Sequence, residues 1–201
     1  MPEPSHPEAM TPTPREIEAL ARRIDRPVVL VGMMGVGKTS VGKRLAAVLR
    51  FGFLDADEAI EEAAQMGIPE IFETYGEAYF RDGERRVIAR LLDERGGGPS
   101  NGGGKVIATG GGAFVDPATR AMILERGIAV WLDSDVDTLL DRVGRKSNRP
   151  LLQTDDPRAT IAALKAAREP FYREAPIHIE SRPGPHQRTV SAILRELEQW
   201  R

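Results

Sequence analysis

The sequence predicts an α/β fold in which parallel strands alternate with crossover helices. Three observations carry that reading. Short β-branched runs recur between helical patterns, an order that forces parallel pairing. The chain has 201 residues, 41% of them hydrophobic, enough for one good core and a small appendage but hardly for two enzyme domains. A glycine-rich loop, VGMMGVGKTS at 31–40, follows the apolar run PVVL directly and leads into a helical stretch.

Taken in order, residues 1–12 are expected to be disordered. Thr13, Pro14 and Glu16 have capping-box spacing, and Ile17, Leu20, Ala21 and Ile24 make one apolar stripe, so 13–25 reads as an added helix. Residues 1–26 thus form an N-terminal extension and 27–201 the main domain. VVLV (28–31) is the first strand, VGKRLAAVLR the helix after the loop, and FLDAD (53–57) the second strand. Gly67 and Gly127 sit where helices should stop. RGGGPSNGGG (95–104) carries six glycines in ten residues and reads as a flexible surface loop. VIAT (106–109), IAVWL (128–132) and PIHIE (176–180) are the remaining strands. Asp116 before Pro117, and Asp156 before Pro157, each pair an N-cap with a first helical residue. Trp131 reads as core, His178 as an outward strand residue, and Met33 and Met34 as loop fillers.

Composition narrows the function. A formal charge of −2, with no local basic patch, argues against nucleic acid as a partner. No cysteine is present, which removes disulfides and thiolate metal sites. No apolar run approaches the roughly 20 residues that span a bilayer, and the start MPEPSHPEAM lacks the pattern of a signal peptide. A cytoplasmic protein without a membrane partner is the expectation.

Gly32, Gly37, Lys38 and Thr39 satisfy GxxxxGK[ST] between a strand and a helix, the context that motif requires. Such a loop curls its N–H groups inward at phosphate oxygens, helped by the positive end of the next helix. Gly35, Val36, Gly37, Lys38, Thr39 and Ser40 are the predicted nucleotide contacts. Lys38 reaches the β and γ phosphates and the Thr39 hydroxyl coordinates Mg²⁺. ATP with Mg²⁺ is the expected ligand. No NKxD segment is present for a GTPase, and a motor or transporter ATPase needs far more chain, which leaves small-molecule kinases.

A kinase of that kind needs an acceptor pocket and an arginine-bearing lid that excludes water. Asp55 and Asp57 end the second strand, and period two puts both carboxylates on one side, one for the metal shell and one for the acceptor. Asp57 is also placed to cap the next helix, and capping and catalysis are compatible. In IPEIFETYGEAYFRDGERRVI, Phe72 and Phe80 flank Arg81, and Glu84 at i+3 can hold the guanidinium so that its fork meets a planar anion. Gly110, Gly111 and Gly112 lie where a side chain would obstruct a ligand or its backbone contacts. SNRPLLQTDDP reads as a hinged lid, about 144–156, carrying Arg149, and AAREPFYREAP offers Arg168 beside an aromatic pair.

GMMGVGKTSVGKRLA, FLDADEAIE, IPEIFETYGEAYFRDGE, TGGGAF, RPLL and REPFY, in this order over 28–200, resemble the shikimate kinase family. The resemblance implies transfer of the γ-phosphoryl of ATP to the 3-hydroxyl of shikimate, on the route to chorismate and the aromatic amino acids. It implies a five-stranded parallel sheet flanked by helices, of the nucleoside monophosphate kinase type with a lid, and a monomer. Asp57 resembles the residue that holds the shikimate hydroxyls and acts as base, and Arg81 and Arg168 the pair that grips its carboxylate. Gly111 adds a backbone contact, Glu84 orients Arg81, and Phe72 and Phe80 form the aromatic wall. Lys38, Asp57 and Arg149 are the implied catalytic set, Arg149 as the lid arginine. Arg142 resembles an arginine lying on the adenine, and Asp55 a second-shell magnesium group beside Thr39. The extension 1–26, the insertion 95–104 and the tail ESRPGPHQ depart from the family pattern. A gluconate kinase would share the loop, lid and size but gives no reason for FRDGE and REPFY together. A nucleotide-binding regulatory module would bind ATP without turnover.

Overall fold

The computed structural model describes residues 13–94, 104–144 and 156–200. Five parallel strands form one sheet in the order β2-β3-β1-β4-β5: β1 (Val28–Val31), β2 (Gly52–Asp55), β3 (Lys105–Ala108), β4 (Ile128–Asp133) and β5 (Ile177–Glu180). The register pairs Leu30 with Ala108 on one side and with Val130 on the other, which aligns the C-terminal ends of the central strands. β1, β3 and β4 are buried almost throughout because helices cover both faces, whereas edge strand β5 alternates buried and exposed residues. That alternation leaves His178 outside, stacked on the buried Trp131, as the strand pattern predicts. Met33 is buried in the core as well as filling the loop.

The added helix at the N-terminus is α1 (Pro14–Arg23). Its capping box is complete: the Thr13 hydroxyl accepts from the Glu16 N–H, and the Glu16 carboxylate accepts from the Thr13 N–H at 2.7 Å. Leu20 is buried, and Arg23 donates to the Glu198 carbonyl at 2.9 Å, so α1 docks against the C-terminal end of the chain. α2 (Lys38–Leu49) follows the loop, and α3 (Ala56–Ala64) follows β2. α3 stops at Gln65, which takes the left-handed conformation at φ 51°, and not at Gly67. Gly67 is instead the extended N-cap of α4 (Ile68–Asp93), because Pro69 at the second helical position starts a new helix there. α4 breaks at Gly76, whose φ of 80° and ψ of 174° only glycine adopts readily. Arg81 and Glu84 therefore ride on the segment after the break.

α5 (Pro117–Arg126) and α7 (Pro157–Tyr172) start as expected, with Asp116 accepting from the Thr119 N–H at 2.8 Å and Asp156 from the Ala159 N–H at 2.9 Å. Gly127 stops α5. Between them lies α6 (Val136–Gly144). The lid residues 145–155, with Arg149, and the insertion 95–103 lie outside the described residues. Gly104, grouped above with the insertion, is packed: a Cβ there would fall 2.3 Å from the Phe51 ring, and its carbonyl accepts from the Gly52 N–H. The last helix, α8 (His186–Gln199), is absent from the expectations above, although Val190, Ile193, Leu194 and Leu197 have the spacing of a buried face.

Candidate active site

The loop at 32–37 leaves β1 at the centre of the sheet, where strand connections diverge to either side. Gly32 has φ 132°, and a Cβ there would lie 2.3 Å from the Leu132 carbonyl oxygen, so conformation and close approach both demand glycine. α2 opens at Lys38 immediately after the loop, so the N–H groups of its first turn face the same space as the helix's positive end. The Lys38 side chain is buried, and its ammonium donates to the carbonyls of Gly32 at 2.7 Å and Met33 at 3.0 Å. The loop is thus curled around a cation that can exchange carbonyls for phosphate oxygens.

This loop floors a cavity of about 860 Å³, lined by Gly35, Gly37, Lys38, Thr39 and Ser40. Val36, a predicted nucleotide contact, is buried and is not among the lining residues; its carbonyl accepts from Arg142 at 2.9 Å and from the Ser181 hydroxyl at 3.3 Å. On the β3 side the walls are Asp55, Asp57, Thr109 and Gly111; on the β4 side they include Thr138, Asp141, Arg142, Gly184 and His186. Arg142 also donates to Ser181 and to the Arg182 carbonyl, tying the loop to the segment after β5.

Asp55 and Asp57 do not share a strand face. β2 ends at Asp55, which caps α3 by accepting from the Asp57 N–H at 3.1 Å, and Asp57 occupies the first turn of the helix. The cap is therefore Asp55 and not Asp57: once the earlier carboxylate captures a free N–H, helical geometry begins two residues sooner. Asp55 uses its other oxygen to accept from the Thr39 hydroxyl at 2.7 Å. Both carboxylates still reach the cavity.

Arg81 donates to the buried Glu84 carboxylate at 2.6 Å, the i+3 contact the sequence predicts, and also to Glu77 at 3.2 Å. Burial is the main influence on Glu84 and lifts its carboxyl above the usual range, against the pull of Arg81 and with a push from Asp57. Phe72 and Phe80 pack with ring centroids 4.5 Å apart, and the Arg81 guanidinium lies 5.2 Å from the Phe80 ring. The glycines after β3 explain how these groups gather. A Cβ at Gly110 would lie 2.8 Å from a Glu84 carboxylate oxygen and 2.9 Å from one of Asp57; at Gly112 it would lie 2.6 Å from Arg81. The expectation of clearance for a ligand becomes clearance for the side chains themselves. Arg168, on α7, donates to the Gly111 carbonyl at 3.3 Å. The structure thus brings Asp57, Arg81, Glu84 and Arg168 together around Gly110–Gly112, beside the phosphate loop.

Several contributors were not singled out from the sequence. Tyr172 lies within REPFY, so only its role was unread; its hydroxyl donates to Gly111. Gly184 and His186 belong to the tail ESRPGPHQ, which departs from the family pattern, and Thr109, Thr138 and Asp141 carry no local signal of their own.

A five-stranded parallel sheet with a phosphate loop at its centre and paired arginines beside it defines a P-loop kinase of the nucleoside monophosphate kinase type. The family model for shikimate kinase matches residues 34–198. A shikimate kinase of Novosphingobium aromaticivorans is 66% identical over 185 residues, covering 92% of this chain and 94% of that one. The shikimate kinase from Acinetobacter baumannii in complex with shikimate superposes with a TM-score of 0.80 at 37% identity, covering 93% of this chain and 98% of that one. The chain belongs to the shikimate kinase family. A gluconokinase from Sinorhizobium meliloti, at 14% identity and TM-score 0.55, shares the fold alone.

Proposed function

We infer that the chain transfers the γ-phosphoryl group of ATP to the 3-hydroxyl of shikimate, giving shikimate 3-phosphate and ADP. The observation that carries this reading is the convergence of Arg81 and Arg168 with Asp57 on one glycine turn next to the Lys38 loop. Two guanidiniums suit a planar carboxylate, since bidentate pairing supplies direction as well as charge. An acceptor without the carboxylate forgoes the charged contacts to both.

Lys38 and the loop N–H groups hold the β and γ phosphates, and Arg142 flanks the base on the β4 side with Gly184 and His186. Thr39 and Asp55 suit Mg²⁺: an oxygen pair already in mutual contact matches an ion that takes one or two protein oxygens and completes its shell with phosphates and water. The bound ion supplies charge neutralisation on the transferring group. Phe72 and Phe80 wall the acceptor pocket, and Glu84 aims Arg81. Asp57 aligns the acceptor hydroxyl and takes its proton late, as the oxygen–phosphorus bond forms and the bond to the ADP oxygen breaks. A carboxylate is a weak base, so most of the rate comes from positioning and charge. Arg149, the lid arginine that the family resemblance implies, is the proposed contact to the transferring phosphoryl group. The protein works as a cytoplasmic monomer, with 1–26 an extension to the kinase domain at 27–201.

A coupled ADP-release assay tests the reading. Shikimate should stimulate release from ATP and Mg²⁺ by orders of magnitude over the blank, and gluconate should not. ATP binding without turnover on shikimate would sink it.

A further inference from the structure

We propose that Tyr172 is a positioning residue for the acceptor: its hydroxyl sets the Gly111 carbonyl and thereby leaves the Arg168 guanidinium free to receive the carboxylate. The proposal rests on the reading of Arg168 as a carboxylate contact. It starts from two donors on one backbone oxygen. The Tyr172 hydroxyl and Arg168 Nη1 both donate to the Gly111 carbonyl, and a carbonyl has two lone pairs to offer.

The two donors differ in how they are held. Tyr172 is 1% exposed, the last residue of α7, and its ring lies 6.5 Å from that of Phe114 and 6.0 Å from that of Trp131. Core aromatics from the turn after β3 and from β4 therefore fix where its hydroxyl points. Burial pushes the phenol up to about 12, while the charge of Arg168, a hydrogen bond between Arg168 and the hydroxyl, and the charge of Arg81 pull it down; it is a neutral group at any working pH, and Arg168 is tied to it as well as to the carbonyl. Arg168 is only half-buried, and its 3.3 Å contact is long for a charge-assisted bond, which closes at about 2.7 to 2.9 Å. Tyr172 is the anchor and Arg168 the mobile partner. Without the hydroxyl, the carbonyl would have Arg168 as its remaining side-chain donor. An arginine drawn fully onto that oxygen turns its fork away from the acceptor.

The test is a double-mutant cycle over Tyr172→Phe and Arg168→Lys, read as KM for shikimate, KM for ATP and kcat. Phe keeps the ring packing and removes only the hydroxyl. Tyr172→Phe should raise the shikimate KM about 3- to 10-fold, the scale of one neutral hydrogen bond, with ATP KM and kcat within twofold. In the Arg168→Lys background the same change should alter the shikimate KM less than twofold, because the fork it positions is gone. Effects that multiply, a shikimate KM unchanged by Tyr172→Phe, or a Tyr172→Phe protein that fails to fold would each overturn the proposal, the last by making the hydroxyl a structural tie. An Arg168→Lys protein with normal shikimate KM would instead overturn the underlying role of Arg168, a result visible before Tyr172 is changed.

Discussion

Gly112→Ala should weaken shikimate binding while leaving the fold and the nucleotide site intact. A methyl group at residue 112 would lie 2.6 Å from Arg81 Nη2, 2.7 Å from Nη1 and 2.9 Å from Cζ. Ordinary contact between such atoms begins near 3.5 Å, so the guanidinium must retreat by about 1 Å. It can do so, because the obstacle is the far end of a flexible side chain, and the backbone at 112 is not in the left-handed region that would strain alanine. The retreat costs one charged hydrogen bond to the carboxylate, about 1.5 to 3 kcal/mol, or about a 10- to 150-fold rise in shikimate KM. Stability should change by less than about 1 kcal/mol, since alanine also restricts the unfolded chain. Steady-state ADP release against both substrates, with a thermal melt, measures all three quantities. A folded Gly112→Ala enzyme with shikimate KM within twofold of wild type would refute the placement of Arg81 at the acceptor, and a shift confined to ATP KM would refute it equally.

Lys38→Ala should lose turnover by orders of magnitude, because the charge between the β and γ phosphates goes unneutralised; near-normal kcat would remove this loop from the mechanism. Asp57→Asn should lower kcat by about 10² or more with a smaller change in shikimate KM, the pattern of a lost proton acceptor, whereas Arg168→Lys should act mainly on shikimate KM; the same defect in both would collapse the separation of roles. A chain starting at Asp25 should keep kcat but lose stability, about 1.5 to 3 kcal/mol from the buried Leu20 alone, and a soluble, stable but inactive product in urea melts and assay would make α1 part of the mechanism. His186 is held below its ordinary value of 6.5 by burial first and then by Arg44 and Arg142. As pH falls through 6.5 the unfolded chain takes up this proton before the folded one, so the stability present above 6.5 declines on acidification. Urea midpoints at pH 7.5 and 5.5 should converge in His186→Gln; an unchanged pH dependence would exclude His186 as a source.

Sequence by itself determined whatever depends on neighbours a few residues apart. The capping pairs at Thr13, Asp116 and Asp156, the GxxxxGKT spacing, the Arg81–Glu84 contact and the strand at 28–31 are all such features, and each holds in three dimensions. Where two local signals competed, only the folded chain chose: Asp55 and not Asp57 caps α3, because a helix starts at the first carboxylate that can meet its free N–H groups, and Gln65 and not Gly67 ends it. The site itself was legible as a set of motifs and illegible as an arrangement. Gly110 and Gly112 meet Asp57, Arg81 and Glu84 from other elements, Gly111 accepts from α7, and Arg142 joins the phosphate loop to the tail after β5. Those meetings join residues from about 26 to 106 positions apart, and they exist because parallel pairing in the order β2-β3-β1-β4-β5 delivers every loop to the same edge of the sheet. Periodicity along the chain records which residues turn inward; which of them touch is decided by the sheet that stacks distant segments side by side.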